Sequence, residues 1–413
     1  MNVFKPADIL LPQVADMSKW AVIACDQFTS DRDYWQRVRE YAADAPSAIN
    51  LILPEAELGT AQEEAHIALI NKSMETYRNC DVFKTYSNCL IYVERTLENG
   101  AVRKGLVGMV DLDAYDYSVG SVSAIRATEK TVVERIPPRM RVRRNASVEL
   151  PHILMLCDDH EKKLIEPVAA KKETLPMVYD FDLMEQGGHI TGWLVQGDDV
   201  AAFEAALAEY TAHVDEKYVG LPGVPMVFAV GDGNHSLATA KACYEELKAA
   251  NPGKDLSDHP ARYALVELEN IHDDAQVFEP IHRVVFKTDV KKLLKDLEET
   301  WCAPDGYRVA WYAANDSGTL YLDKAKSELA VGALQTFLDN WLKENAGEVD
   351  YIHDDPELLK LAQQENAIGF LLPAMEKSQL FRGVIADGIL PRKTFSMGHA
   401  REKRYYLEGR VIK

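Results

Sequence analysis

The 413-residue chain has six cysteines (Cys25, Cys80, Cys89, Cys157, Cys243, Cys302), widely spaced and with no CxxC pair. That spacing excludes a disulfide framework or a structural zinc knuckle and fits reduced thiols. No stretch approaches the ~18 uninterrupted apolar residues of a membrane-spanning helix. The opening segment, MNVFKPADILLPQ, lacks the basic-then-apolar pattern of a signal peptide. Positive charge is scarce: 46 Lys and Arg stand against 65 Asp and Glu, a formal net charge of −19. Such a balance argues against a nucleic-acid surface, which needs clustered Lys and Arg. Internal repeats and low-complexity segments are missing too. A cytoplasmic globular protein is expected, and its 47% apolar and 27% charged residues are ordinary for one.

What is present alternates strands and helices. AVIAC (21–25) reads as a strand, followed by a helix to about Ala43, with Ser30 and Asp33 resembling a capping pair. A second helix is expected over Thr60–Arg78. Residues 88–95 and 103–112 form a hairpin pattern around Glu98-Asn99-Gly100. Further strands are expected at 152–157, 188–195, 263–269 and 283–286, and helices from 197 to about Tyr218 and over 289–300. The last hundred residues mix both types and close on a strand, RYYLEGRVI. CAPDG (302–306) is the best linker candidate, which divides the chain into 1–300, a main α/β domain, and 301–413, an α+β region packed on it. The class is α/β, with α+β as the alternative, built on a mixed sheet with flanking helices.

The most informative stretch is VPMVFAVGDGNHSLATA (224–240), an apolar strand that turns at once into an alanine-rich helix. The first N–H groups of such a helix are unpaired and, with the helix dipole, form an anion site. Gly231 and Gly233 permit positive φ and close approach of a ligand. Asp232, Asn234 and His235 add an acceptor, an amide and an imidazole. No Gly-Lys-Ser/Thr follows, and Ser236 breaks the GxGxxG pattern, so this is neither a Walker loop nor a dinucleotide fingerprint. The competing reading is a plain turn in which Asn234 or Ser236 caps the helix.

GDGNHSLATA resembles the strand–DGHHR–helix signature of the family named domain of unknown function 1015. KGLVGMVDLDAYDY (104–117) resembles that family's GLVGLVDLEDY strand. IRATEKT (125–131) resembles its R-x-x-E-x-T segment, with Arg126, Glu129 and Thr131 in the matching positions. FEPIHRVVF (278–286), with His282 and Arg283, and LPRKTFSMGHAREKRYYLEGRVI (390–412) resemble its later pieces. The loop is in turn similar to the phosphate-binding loop of the ParB/sulfiredoxin-like superfamily. That superfamily includes sulfiredoxin, a free-serine kinase and the partition protein ParB. The resemblance implies a ParB/sulfiredoxin-like core elaborated by large insertions, with Asp232, Gly233, Asn234 and His235 matching the loop at which that superfamily binds nucleotides or phosphates. Ser236 stands where the family has an arginine expected to hold phosphate, and Arg126 or Arg283 could substitute for it in space.

The turn after AVIAC repeats the layout of the loop, and Asp26 either caps it locally or faces Asp232 and His235. Asp232, His235 and Asp26 are therefore the expected catalytic groups, acting as base or on a metal ion. Gly231, Gly233, Asn234, Ser236, Arg126, Glu129 and Arg283 are the expected ligand-binding set, and the expected cofactor is a nucleotide with Mg²⁺. RIPPRMRVRR (135–144), five arginines in ten residues, reads as an exposed loop or edge strand, with an anion or partner site as the lesser reading. The clusters at 157–160, 272–274 and 353–355 read as solvated turns rather than metal ligands. Cys25 is not expected to be a nucleophile, because Asp26 beside it raises its pKa. The basic segment Arg392–Arg404 either closes over a phosphorylated ligand or pairs with the acidic body. Function is read as nucleotide or phosphate binding, with phosphotransfer or nucleotide hydrolysis as the chemistry. A non-catalytic ligand sensor is the alternative, and a ParB-like role on nucleic acid ranks below both.

Overall fold

Side chains along a strand point alternately to opposite faces, and strand Phe83–Thr96 feeds two cores in this way. Leu90 and Tyr92 enter one, while Cys89, Ile91 and Val93 enter the other. The computed structural model describes residues 3–221, 226–314 and 316–413, so Val224 and Pro225 of the apolar run before the loop lie outside the described residues. The main sheet runs in the order Met177–Asp182, His189–Val195, Phe83–Thr96, Val102–Asp111, Tyr263–Asn270, Leu154–Cys157, Phe228–Asp232, Ile125–Ala127, Tyr115–Asp116. Its first five strands pair antiparallel. Beyond them the pairing is mixed, and Phe228–Asp232 lies antiparallel to Leu154–Cys157 and parallel to Ile125–Ala127. The fold is thus mixed α/β, as the interleaved strands and helices imply.

A second sheet holds Asp316–Leu322, Cys302–Ala313, Ile368–Leu371, His282–Phe286 and Glu348–Ile352. One apolar core is continuous from Val230 and Phe228 of the main sheet to Leu334 and Phe370 around the second.

Several local expectations are corrected. Residues 135–144 are not a loop or edge strand: Ile136–Arg144 is a helix whose two prolines sit in its first turn. Proline is tolerated there because the missing N–H has no helical partner to lose. Its arginines pair with Glu55, Glu63, Glu149 and Glu246, from four separate elements. The first long helix, Arg32–Ala42, is capped by Asp31, which accepts from Tyr34 N at 2.9 Å, and not by Ser30. Residues 302–306 are no linker. They belong to strand Cys302–Ala313, whose register shifts between Cys302 and Tyr307.

The closing strand is two short pieces. Tyr405–Tyr406 pairs with Val22–Ile23, and Arg410–Val411 with Val148–Glu149. Buried guanidinium groups hold this terminal segment in place. Arg404 meets Glu267 at 2.5 Å and also Glu408, while Arg410 Nε donates to Glu149 at 2.9 Å. Arg95 donates to the carbonyls of Lys403 at 2.5 Å and Arg401 at 2.6 Å. Removing one partner of a buried pair strands the other charge without water, at about 3–5 kcal/mol. Arg404→Met is therefore expected to lower unfolding free energy by about that much in urea titration. Adding Glu267→Gln should recover part of the loss; additivity of the two losses would refute the pairing.

Candidate functional site

The junction of strand Phe228–Asp232 and helix Asn234–Ala250 is made by Gly233, the helix N-cap, at φ +80°. A side chain there is doubly opposed, since L-residues avoid this φ and a Cβ would stand 3.0 Å from Ile153. Gly233 has no side chain with which to cap this 17-residue helix, and among the described residues no side chain takes that place. Neither Asn234 nor Ser236 fills that role, and Asp232 instead turns back to accept Gly233 N at 2.8 Å. Two buried polar atoms beside the turn, Asn234 Oδ1 and Thr131 Oγ1, lack a hydrogen-bond partner among the described residues. Buried polar atoms are nearly always satisfied, so their grouping at an open helix terminus marks this place out.

Charge is arranged on two sides of the turn. On one, Asp232 lies 3.4 Å from Lys403 Nζ, and Glu129 accepts Lys393 N at 3.2 Å. Burial, opposed by Lys393 and reinforced by Asp232, raises the Glu129 pKa. Thr128 Oγ1, donating to Val230 O at 2.7 Å, ties this strand end to the loop strand. On the other side, His152 Nε2 lies 3.3 Å from Ser236 Oγ and 3.8 Å from Asp26, whose side chain keeps 28% of its surface exposed. Burial alone would raise the Asp26 pKa, but His152, Gln27 and Arg139 outweigh it and hold the carboxyl below its ordinary range.

His235 is half-buried, and its Nε2 accepts Val132 N at 3.2 Å. That bond places the proton of the neutral ring on Nδ1. Burial first, then Arg139 and Arg135, push its pKa down to about 4, against Asp26. Cys25 follows its expected direction, pushed up to about 12 by burial and then by Asp26.

The expected residues thus fall into two groups. Asp232, Gly233, Asn234, His235, Ser236, Glu129 and Asp26 surround the turn. Gly231 backs it, where a Cβ would press on Leu156 and Met397. Arg126 and Arg283 are placed otherwise. Arg126 is buried and donates from Nε to Ser123 O at 2.9 Å, at the far end of its strand. Arg283 is fully buried and spends its donors on Gln335 and on the carbonyls of Ile281, Lys393 and Arg392. Its role is to position the segment that carries Lys393. The cations at the turn are instead Lys403, Arg139 and Arg135, with His152 as an added imidazole. Their signal in the sequence was bare clustering of basic residues, at 135–144 and 392–404.

The supposed solvated turns at 157–160 and 272–274 meet each other. His272 Nε2 lies 2.6 Å from Asp158, and Asp159 and Asp273 are buried. Among the described residues no group of three or more His, Cys, Asp or Glu is placed to hold a metal ion. A Mg²⁺ carried in on a phosphate chain needs only one or two protein carboxylates. No helix among the described residues is long and apolar enough to cross a membrane.

Fold and site together define a mixed α/β protein with an uncapped, glycine-turned helix terminus ringed by carboxylates and cations. The chain belongs to the family described as protein of unknown function (DUF1015), whose model matches residues 5–388. No curated protein matches it. Among solved structures it is similar to a free serine kinase in complex with AMP, at 10% identity and TM-score 0.37, covering 72% of this chain and 90% of that chain. It is also similar to SbnI with C-terminal truncation from Staphylococcus aureus, at 10% identity and TM-score 0.35, covering 71% and 83%. A conserved hypothetical protein from Pyrococcus furiosus matches at 11% identity and TM-score 0.33, covering 72% and 92%. At these scores no chemistry is carried across.

The depressed pKa of His235 has a pH consequence. The unfolded chain takes up this proton near 6.5, the folded chain near 4. The neutral ring therefore contributes stability that is complete above pH 6.5 and is lost as pH falls toward 4. NMR titration should place the His235 midpoint near 4, and His235→Gln should flatten the fall in Tm over that window. A midpoint at or above 6.5 would contradict the burial argument.

Proposed function

We propose that this protein binds a phosphate-bearing small molecule or nucleotide at the Gly233 turn and acts on its phosphate, as a phosphotransferase or nucleotide hydrolase. The observation that carries the reading is the glycine-turned helix terminus with the unpartnered hydroxyl of Thr131, next to the Val132 that bonds His235, free to donate among the described residues. In this reading the turn is a phosphate-binding loop of the ParB/sulfiredoxin-like kind. The free N–H groups at the start of the helix take phosphate oxygens, and the helix dipole favours their charge. The Nδ1–H of neutral His235 adds a donor that does not titrate near neutral pH. Lys403 and Arg139 offset the negative charge gathered there.

Asp232 and Glu129 are the pair suited to a phosphate-borne Mg²⁺, which would withdraw charge from the phosphoryl oxygens. Asp26, held ionised and close to His152, is the carboxylate available to accept a proton from an attacking hydroxyl or water. Ser236 in place of arginine removes one charge from the turn, and Arg139 from the neighbouring helix stands in for it.

Thermal-shift titration with ATP, ADP, CTP, GTP and tripolyphosphate, with and without Mg²⁺, tests this directly. A saturable rise in Tm is expected with at least one of them, at about 2.7 kcal/mol of stabilisation for ligand at a hundred times Kd. Asp232→Asn with His235→Ala should abolish the shift while leaving the unliganded Tm within a few degrees. No response to any phosphate would sink the reading. Binding without phosphate release or transfer across a metabolite panel would assign a ligand-sensing role instead.

A further inference from the structure

Behind the first turn of the loop helix lies a cavity of about 150 Å³. Its walls are aliphatic, including Leu51, Leu53, Met74, Val148 and Leu150. Polar groups line it as well: Ser236, His152 and the ion pairs of Arg139 with Glu55 and Arg143 with Glu149. His152 is 4% exposed and its Nε2 faces Ser236 Oγ at 3.3 Å, so a buried imidazole borders the cavity beside the first turn of the helix.

The cavity is half open, so its aliphatic walls face solvent, and an apolar occupant would take that surface out of water. Inorganic phosphate, or a small polar phosphate ester, leaves those walls uncovered. Ser236 belongs both to the first turn of the helix and to the lining of the cavity.

We infer that the ligand of the Gly233 turn is an anion with an apolar ring-sized body, its charged head on the helix terminus and its ring in this cavity. The head-group part rests on the phosphate-site reading; the cavity part stands on its own walls. Burial of one ring of this size is worth about ten- to a hundredfold in affinity.

Isothermal titration of the full chain with phenyl phosphate, inorganic phosphate, phosphoserine and uncharged phenol separates the two parts. Phenyl phosphate should bind at least tenfold tighter than phosphate or phosphoserine. In the cavity-filling variants Ala146→Leu and Leu53→Phe that advantage should vanish while phosphate binding persists. Two variants guard against one of them failing to fold, and far-UV circular dichroism checks both. Equal binding of phenyl phosphate and phosphate, or an advantage that survives filling, overturns the cavity inference and leaves the anion site standing. Phenol bound by the wild type alone, with no phosphate bound, keeps the cavity and removes the anion site. No binding of any probe overturns both.

Discussion

Four buried arginines tie the last part of the chain to the rest of the fold, and the candidate site depends on them. Arg283 bonds the backbone at 392–393, Arg95 the backbone at 401 and 403, and Arg404 and Arg410 reach Glu267 and Glu149. A guanidinium in the interior is held only where its donors are matched. The price is met by carbonyls and carboxylates on both sides of the contact. The result fixes Lys393 and Lys403 beside Glu129 and Asp232, far from them in the sequence.

Around that anchor the turn at Gly233 has two unlike sides. One is a pair of carboxylates balanced by lysines; the other is the imidazole of His152, which lines the cavity, with Asp26 3.8 Å from it. The helix terminus lies between them, so a single ligand can use both. The same low-dielectric surroundings act on His235, where burial and two arginines make the neutral ring the stable form. At the proposed anion site such a neutral donor would keep its role across the neutral pH range, which a histidine of ordinary pKa would not.

The turn itself was legible in the residues. VGDGNHS places glycine at the one position of the turn where φ is strongly positive, and the apolar run before it reads as strand. The convergence of IRATEKT, FEPIHR and LPRKTF on that turn was not legible, because it depends on pairing over hundreds of residues. Glu129 bridges to Leu390, and Phe278–Pro280 pairs with Phe395–Met397. The arginine-rich stretch misled for a similar reason. Read locally, two prolines and five arginines favour a loop, whereas four glutamates from other elements neutralise the charge and let the helix form. Arg126 and Arg283 show the converse, since a buried arginine and a ligand-facing one look alike in a linear string.

By itself, then, the sequence determined the mixed α/β class, most of the strands and helices and the glycine turn, since these follow from periodicity and backbone freedom over a few residues. Only the tertiary structure decided which cations stand at the turn, that Asp26 and His152 adjoin it, and that a cavity opens behind Ser236. Those facts rest on contacts between distant segments, where the matching of buried charges rather than local propensity selects the arrangement.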